Sequence, residues 1–403
     1  MNAPPPPPLL LGEAQARLLA MAHPLQAETI PVTEALGRIM AGPIMARRTQ
    51  PPADLSAMDG YALSDAGSGG LWSIVGESAA GHPYPGTLGH GEAVRISTGA
   101  NIPQGATTIL LQEDARREGN ILQSIGDPPA EGRHIRRAGF DFCKGDSLLP
   151  AGCRLTPARL ALALSGGHAR IGVIREPHVA IIDSGDELAA DPDQCGPHQI
   201  PASNGTMLAA LASSLPCTLT RIGPVADDRD ALQAALASVA DADLIVTSGG
   251  ASVGDHDLIR PALEDWGAQI DFWRVAIKPG KPLLVARRNR QIILGLPGNP
   301  VSSHVTAFLF MLPLIRALCG AETALPRTMT AKSSADLPET GKRMEFVRAF
   351  WDGATIQPVY NQDSSALAAM AASNALIIRP ADAPAIETGT YVPFYWLENG
   401  GIT

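Results

Sequence analysis

Between residues 177 and 325 the chain repeats one pattern: a short apolar run, a small polar turn, then a run with helical spacing. The runs "HVAIID", "CTLTRIG" and "DLIVTS" alternate with "NGTMLAALASSL", "DRDALQAALASVA" and "LIRPALEDWG". Then come "DFWRVAI", "PLLVAR", "QIILGLP" and the long apolar helix pattern "PVSSHVTAFLFMLPLIRAL". Such alternation predicts an α/β domain, a doubly wound sheet with helices on both faces. The strand runs are apolar without clean alternation, as strands buried on both sides are. The pattern also says where a ligand binds, because open α/β sheets take ligands beyond the carboxyl ends of their strands.

The chain of 403 residues exceeds what one core usually organises, so flanking domains are expected. "LGEAQARLLAMA" and "PVTEALGRIMAG" carry helical spacing, the second with Thr33 as a cap and Gly42 as its end. Helix returns in "TPARLALALSGG". Between these lie short alternating runs broken by Gly and Pro, the texture of a small all-β unit. The reading is a helical N-terminal domain made of residues 1–53 and 137–176, split by an inserted β-domain at 54–136. The α/β domain occupies 177–325. Residues 326–403 are again short and strand-like, a small C-terminal β-barrel or sandwich.

The net charge of −9 argues against binding nucleic acid or a membrane surface, but leaves room for a local cationic pocket. The five cysteines form no C-x-x-C pair and suit free thiols in a reducing compartment. "MNAPPPPPLLLGEAQ" lacks the cationic start and longer apolar core of a secretory signal. The apolar run near "VTAFLFMLPLI" is too short to span a bilayer. Together these features predict a cytoplasmic protein.

Three loops leave strand ends with unusual composition: "DSGDELAAD", "VTSGGASVGDHD" and "GLPGNPVSS". In the second, Gly249, Gly250 and Ser252 can turn backbone N–H groups toward an anion, beside the hydroxyls of Ser248 and Ser252. In the third, Asn299 is placed to cap a helix and Pro300 to open it, which presents a positive helix end. Arg274, Lys278 and Lys281 concentrate in "WRVAIKPGKPLL". Arg274 and Lys278 are four apart on one expected strand, hence on one face. Each stretch also has a plainer reading. Gly-rich loops are usually turns, a lone Lys is usually a solvated charge, and Glu187 can be a helix-start acid. Asp255 and Asp257 flank His256 on opposite sides of an extended segment, which suits a hydrated Mg²⁺ on two carboxylates better than a three-residue metal site. Asp59–Gly60 reads as a hairpin turn, and Thr98 and Asn101 as turn residues.

Taken together and in order, "SAMDGYA", "RISTGA", "GDEL", "TSGGASVGDHD", "KPGKP" and "GLPGNPVSS" resemble the molybdopterin molybdenumtransferase family, the MoeA proteins and the E domain of gephyrin. The resemblance runs from about Gly12 to Asn374. It implies a helical domain, an inserted β-domain, a molybdopterin-binding α/β domain and a C-terminal β-barrel. It implies a homodimer whose active cleft is shared by both subunits. The reaction it implies is insertion of molybdate into adenylylated molybdopterin, with Mg²⁺-assisted hydrolysis of the adenylyl bond and release of AMP. Its further partners would be a molybdopterin adenylyltransferase and factors that receive the finished cofactor.

Carried over residue by residue, the resemblance places catalytic roles on Asp59, Glu187, Asp227 (with Asp228 the adjacent alternative), Asp257 and Lys278. It places substrate contacts on Thr98, Ser248, Gly249, Gly250, Ser252, Gly254, Arg274, Lys281, Pro297, Gly298, Asn299, Pro300, Ser302 and, through "MEFVRAF", Arg348. Asp227 and Asp257 would serve the metal and phosphate end, Asp59 and Glu187 the molybdate and pterin end. The family often has Lys where this chain has Arg274, and another Ser near Ala368–Ala369. Two other readings compete: a scaffold that binds molybdopterin without turnover, and an enzyme that adenylylates molybdopterin with ATP.

Overall fold

In the computed structural model, residues 7–65, 70–249 and 258–401 are described. The central domain holds six strands: β1 (His178–Ser184), β2 (Thr218–Val225), β3 (Leu244–Ser248), β4 (Gln269–Arg274), β5 (Pro282–Arg288) and β6 (Gln291–Leu296). They lie in the order β2-β1-β3-β6-β5-β4, parallel from β2 to β6, with β5 and β4 added antiparallel. Helices α1 (Asn204–Ala212), α2 (Arg229–Ser238), α3 (Ile259–Asp265) and α4 (Pro300–Leu318) cover the sheet.

The apolar strands are apolar because both faces are covered. Val179 and Ile181 of β1 join one core with Leu208 of α1 and Phe308 of α4. Ala180 and Ile182, the alternate residues, join a second core with Leu232 of α2 and Ile259 of α3. A two-residue side-chain period feeding two cores leaves no place for a polar residue in mid-strand.

Helix α4 is long and apolar enough to cross a membrane, yet 89% of it is buried inside the protein. It is the core helix of the sheet. Pro313 interrupts its ladder, since proline has no N–H to give to the carbonyl four residues earlier, on Leu309. The helix widens to a π turn over Ala307–Met311, just before the proline. The Leu309 carbonyl accepts a bond from Gln15 Nε2 at 2.9 Å. Gln15 is buried on the N-terminal helix Leu11–Met21. That helix, read from sequence as part of the N-terminal domain, packs Leu11, Ala14 and Leu18 into the central core beside α4.

The N-terminal region contains less helix than its spacing predicts. "PVTEALGRIMAG" is not a helix: Val32–Glu34 makes one 3₁₀ turn that ends at Ala35, and a turn with Gly37 at φ +79° follows. Ile39 and Met40 then pair in isolated bridges with Arg154 and Val173. Their apolar spacing meets the helical period, but Met40 serves a small core with Leu155 and Ile171, and Ile39 joins the central core. Ala27–Pro31 pairs with Arg170–Ile174 and joins the two halves of this region. Leu55–Ser56 pairs with Ile135–Arg136, so the chain enters and leaves the inserted sheet side by side. That sheet runs Thr108–Leu111, Gly60–Leu63, Glu92–Ile96, Leu71–Ser78, Ile121–Ser124, Ala115–Glu118.

The C-terminal strands Thr328–Ser333, Met344–Trp351, Thr355–Pro358, Ala375–Arg379 and Tyr391–Trp396 close into a barrel, because Met344–Trp351 pairs with both Thr355–Pro358 and Ala375–Arg379. A short strand from the central domain, Ile277–Lys278, adds in parallel to Met344–Glu345 of that barrel.

The Gln15 bond generates a prediction. Gln15→Ala leaves the buried Leu309 carbonyl without the amide and destabilises the protein by about 1–3 kcal/mol. Arg17→Ala, on the exposed side of the same helix in a pair with Glu13, changes stability by less than about 0.5 kcal/mol. Midpoints of thermal unfolding for the two variants check this, and equal midpoints would sink it.

Candidate functional site

The parallel strands β1, β3 and β6 end at one edge, and their loops converge there. Asn204, at the start of α1, links them: its Nδ2 donates to Ser248 Oγ at 2.8 Å and to the Gly298 carbonyl at 2.7 Å. One amide therefore ties the loop after β3 to the loop after β6. Ser184, Glu187, Asn204, Ser248, Gly249 and Gly298 line the cleft that results.

At the base of this cleft lies Asp183, the next-to-last residue of β1, only 4% exposed. Its Oδ2 accepts the N–H of Gly205 at 2.9 Å, at the positive end of α1. Burial raises its carboxyl above the usual carboxylate range, against the Gly205 N–H, the Arg221 charge and a bond from Ser248, which pull it down. Residue 205 is glycine for a steric reason, since a Cβ there would overlap the Asp183 carboxylate. Neither Asp183 nor Asn204 stands out in the sequence reading. The available signals were an acid ending an apolar strand, and Ser-Asn-Gly ahead of an apolar helix.

Several expected contacts take a different form. Gly249 adopts φ +98°, but its N–H donates to the Leu296 carbonyl at 3.2 Å and so holds two strand ends together rather than facing an anion. Gly250, Ser252, Gly254 and Asp257 lie outside the described residues. Asn299 occupies the N-cap position and Pro300 the first helical position, but the Asn299 side chain makes no cap bond. Its Nδ2 reaches instead to Ser364 Oγ, 3.4 Å away, in the loop that precedes the last barrel helix. Pro297 is buried, Gly298 is exposed, and Ser302 is buried with its carbonyl accepting from Thr306 Oγ1.

The acids separate by role. Asp228 caps α2, accepting the Ala231 N–H at 2.9 Å. Asp227 is the one turned to the other acids: its N–H donates to Asp186 Oδ1 at 3.1 Å. Burial, then the neighbouring charges of Asp186 and Glu187, raise the Asp227 carboxyl, while a bond with Asp186 lowers it. Among the described residues, no three His, Cys, Asp or Glu side chains form a metal-holding group.

Arg274 and Lys278 do not share a strand. Strand β4 ends at Arg274, a tight turn follows in which the Ile277 N–H donates to the Val275 carbonyl, and Lys278 belongs to the short strand on the barrel. The exposed Lys278 pairs with Glu345 at 3.1 Å. Lys281 is exposed, and its carbonyl accepts the Val275 N–H at 2.8 Å. The loop between the two lysines rests on α4, where a Cβ on Gly280 would meet the Thr306 methyl at 2.7 Å. Arg348 is 1% exposed inside the barrel, and its Nη2 donates to the Asn361 carbonyl at 3.0 Å. It holds the loop that carries Ser364 and does not line the central cleft.

Asp59 and Thr98 meet on the inserted sheet. The Thr98 N–H donates to Asp59 Oδ1 at 2.6 Å. This bond, a second from the Thr98 hydroxyl and the Arg95 charge hold the exposed Asp59 carboxyl below its usual range. The pair is therefore more than a turn: it keeps an ionised acid in a fixed position.

Asp183 gives a pH-dependent prediction. A carboxyl raised in the native state keeps its proton at a pH where the unfolded chain has released it. Its contribution to stability therefore falls as pH rises between the two values. Asp183→Asn removes that loss while its amide oxygen can still accept from Gly205. The variant should gain stability relative to the parent protein between about pH 4 and about pH 7. Urea midpoints of both proteins at the two pH values check this; a difference that stays constant or shrinks overturns it.

Comparison with known proteins accounts for nearly the whole chain. Three family models match in succession: the MoeA N-terminal region (domain I and II) over residues 9–167, a probable molybdopterin binding domain over 180–317, and the MoeA C-terminal region (domain IV) over 330–397. A molybdopterin molybdenumtransferase of Haemophilus influenzae is 35% identical over 401 residues, covering 96% of this chain and 98% of its own. One of Bacillus subtilis is 32% identical over 410 residues, covering 98% and 95%. The crystal structure of a molybdopterin biosynthesis MoeA protein from Pyrococcus horikoshii superposes with a TM-score of 0.83 at 25% identity, covering 96% of this chain and 99% of that one. Similarity over the full length, in the same order of domains, leads to one conclusion: the chain belongs to the molybdopterin molybdenumtransferase (MoeA) family.

Proposed function

We propose that this chain inserts molybdate into adenylylated molybdopterin and hydrolyses the adenylyl bond, releasing AMP and the finished molybdenum cofactor. Membership of the family makes it an enzyme of molybdenum cofactor biosynthesis, a molybdopterin molybdenumtransferase. The observation that carries the reading is the cleft in which Asn204 ties the Ser248 and Gly298 loops together, with Glu187 on its wall.

The chemistry requires two oxyanions to meet: a dianionic molybdate and a substrate that carries a pyrophosphate. Lys278, Lys281 and Arg274 offset that repulsion, in the manner of preorganised oxyanion donors. Lys278, held by Glu345, is positioned by the barrel strand and not by a flexible loop. Ser248 is fixed in the cleft wall, since its hydroxyl accepts from Asn204 and bonds to Asp183.

Mg²⁺ fits the acid end of the site by donor chemistry: all the candidate ligands are carboxylate oxygens. The Asp227 carboxyl, raised by burial and then by the charges of Asp186 and Glu187, sits among negative charge that a cation would relieve. Asp227 and Asp257 would hold the ion, which when bound neutralises phosphate charge. Residues of this chain would then orient the attacking water.

Asp59 and Thr98 belong to this reaction through a second subunit. Their described partners all lie on the inserted sheet, and Asp59 is exposed and ionised. In a homodimer, the inserted domain of one subunit would complete the central cleft of the other. The five cysteines, all free, agree with a reducing, cytoplasmic setting.

The test is molybdate-dependent AMP release from adenylylated molybdopterin without ATP. Lys278→Ala should lower turnover about 10²–10³-fold, the scale of a lost oxyanion donor. Binding without release in the parent protein favours the scaffold, and a requirement for ATP favours the adenylylating enzyme. Subunit sharing has its own test. Asp59→Ala and Glu187→Ala homodimers are each inactive, but co-expressed together they should recover roughly a quarter of the normal sites, one intact site in each mixed dimer. A site built within one chain recovers nothing.

A further inference from the structure

We propose that a second cleft, between the N-terminal and central domains, binds a small organic oxyanion: a phosphate or carboxylate on a compact apolar body. Its cavity measures ≈ 170 Å³, and among the described residues its charged lining is Arg154, Arg159, Arg316 and Arg327 with Glu322. The chain as a whole carries a net charge of −9, so four guanidinium groups in one cleft are a local inversion of its charge. Arg154 lies just before the helix Pro157–Ser165 of the N-terminal domain, Arg159 in its first turn, and Arg316 in the last turn of α4.

The arginines are held in place. Arg159 Nη1 donates to the Arg154 carbonyl at 2.5 Å, and Arg316 Nη1 to the Ala324 carbonyl at 3.0 Å. Arg316 is only 3% exposed. Burial, and then the like charge of Arg154, lower its pKa to about 10. Holding like charges together at the wall of a partly buried cavity is unfavourable, and an oxyanion between them removes the repulsion. Planar guanidinium forks suit the paired oxygens of phosphate or carboxylate. The floor is apolar, made by Ile39, Leu215 and Pro216. A cavity of about 150 Å³ accepts a benzene-sized group, so the volume here fits a ring or short branched chain with its oxyanion at the rim.

This cleft is not the one at the strand ends. Helix α4 runs between them, with Pro300 at the central cleft and Arg316 at the arginine cleft. Its 19 residues span about 28 Å at the α-helical rise. The inference does not rest on the reaction proposed above.

Calorimetric titration of the full chain with phenyl phosphate, benzoate, inorganic phosphate and phenol tests it. Phenyl phosphate or benzoate should bind with Kd below about 1 mM, and about tenfold or more tighter than inorganic phosphate or phenol. Whichever of the two binds tighter identifies the head group. Arg154→Ser with Arg159→Ser should weaken binding about tenfold or more, and Glu322→Gln should tighten it, a gain that no loss of folding can imitate. Lys278→Ala should leave binding unchanged. Binding too weak to measure, binding indifferent to the arginine and Glu322 substitutions, or binding abolished by Lys278→Ala overturns the proposal. None of these outcomes bears on AMP release, which is read separately.

Discussion

The central sheet is buried on both faces, and the rest of the molecule follows from that. Successive residues of β1 feed two cores, so a polar side chain has nowhere to go except the strand ends. Asp183, Ser248 and the Gly298 loop accumulate at the carboxyl edge for this reason, and there they must satisfy one another or a ligand. The bonds from Gly205 and Asn204 do the first of these. The cleft is what remains.

Helix α4 couples this edge to the rest of the chain. Its first residue stands in the cleft wall, its middle packs against the N-terminal helix, and its last turn contributes to the arginine cleft. Pro313 would normally make so long a buried helix costly. The π turn and the Gln15 amide absorb that cost locally, so one rigid rod can run through the core. The lysine loop is held in a comparable way, by strand pairing to the barrel and by the Lys278–Glu345 contact. The position of Lys278 is thus set by the fold and not by a flexible loop.

Much of this was legible in the chain itself. The two-faced burial of the strands, the three polar loops and the order of the motifs all follow from local composition. What the sequence could not separate were neighbours of like chemistry. Asp227 and Asp228 read alike until one is seen capping α2 and the other lying beside Asp186. Arg274 and Lys278 read as one face of one strand until the turn at Val275 divides them. "PVTEALGRIMAG" has helical spacing, but its apolar residues answer to strands more than a hundred positions away. Asn204 is an ordinary helix-start residue by sequence, and its bridging of two loops is a fact of tertiary packing alone.

Sequence by itself determined the elements and their chemistry: a doubly wound α/β sheet, small-residue loops at its ends, lysines next to those loops in the chain, and the family. Those properties are local, set by side-chain period and by what glycine and proline permit. Tertiary structure decided which polar atoms are already engaged and which still face a cleft. It buried Arg348 in the barrel, spent the Gly249 N–H on a strand end, raised Asp183 by burial and set four arginines around one cavity. Partnership and desolvation depend on residues distant in the chain, and no local pattern carries that information.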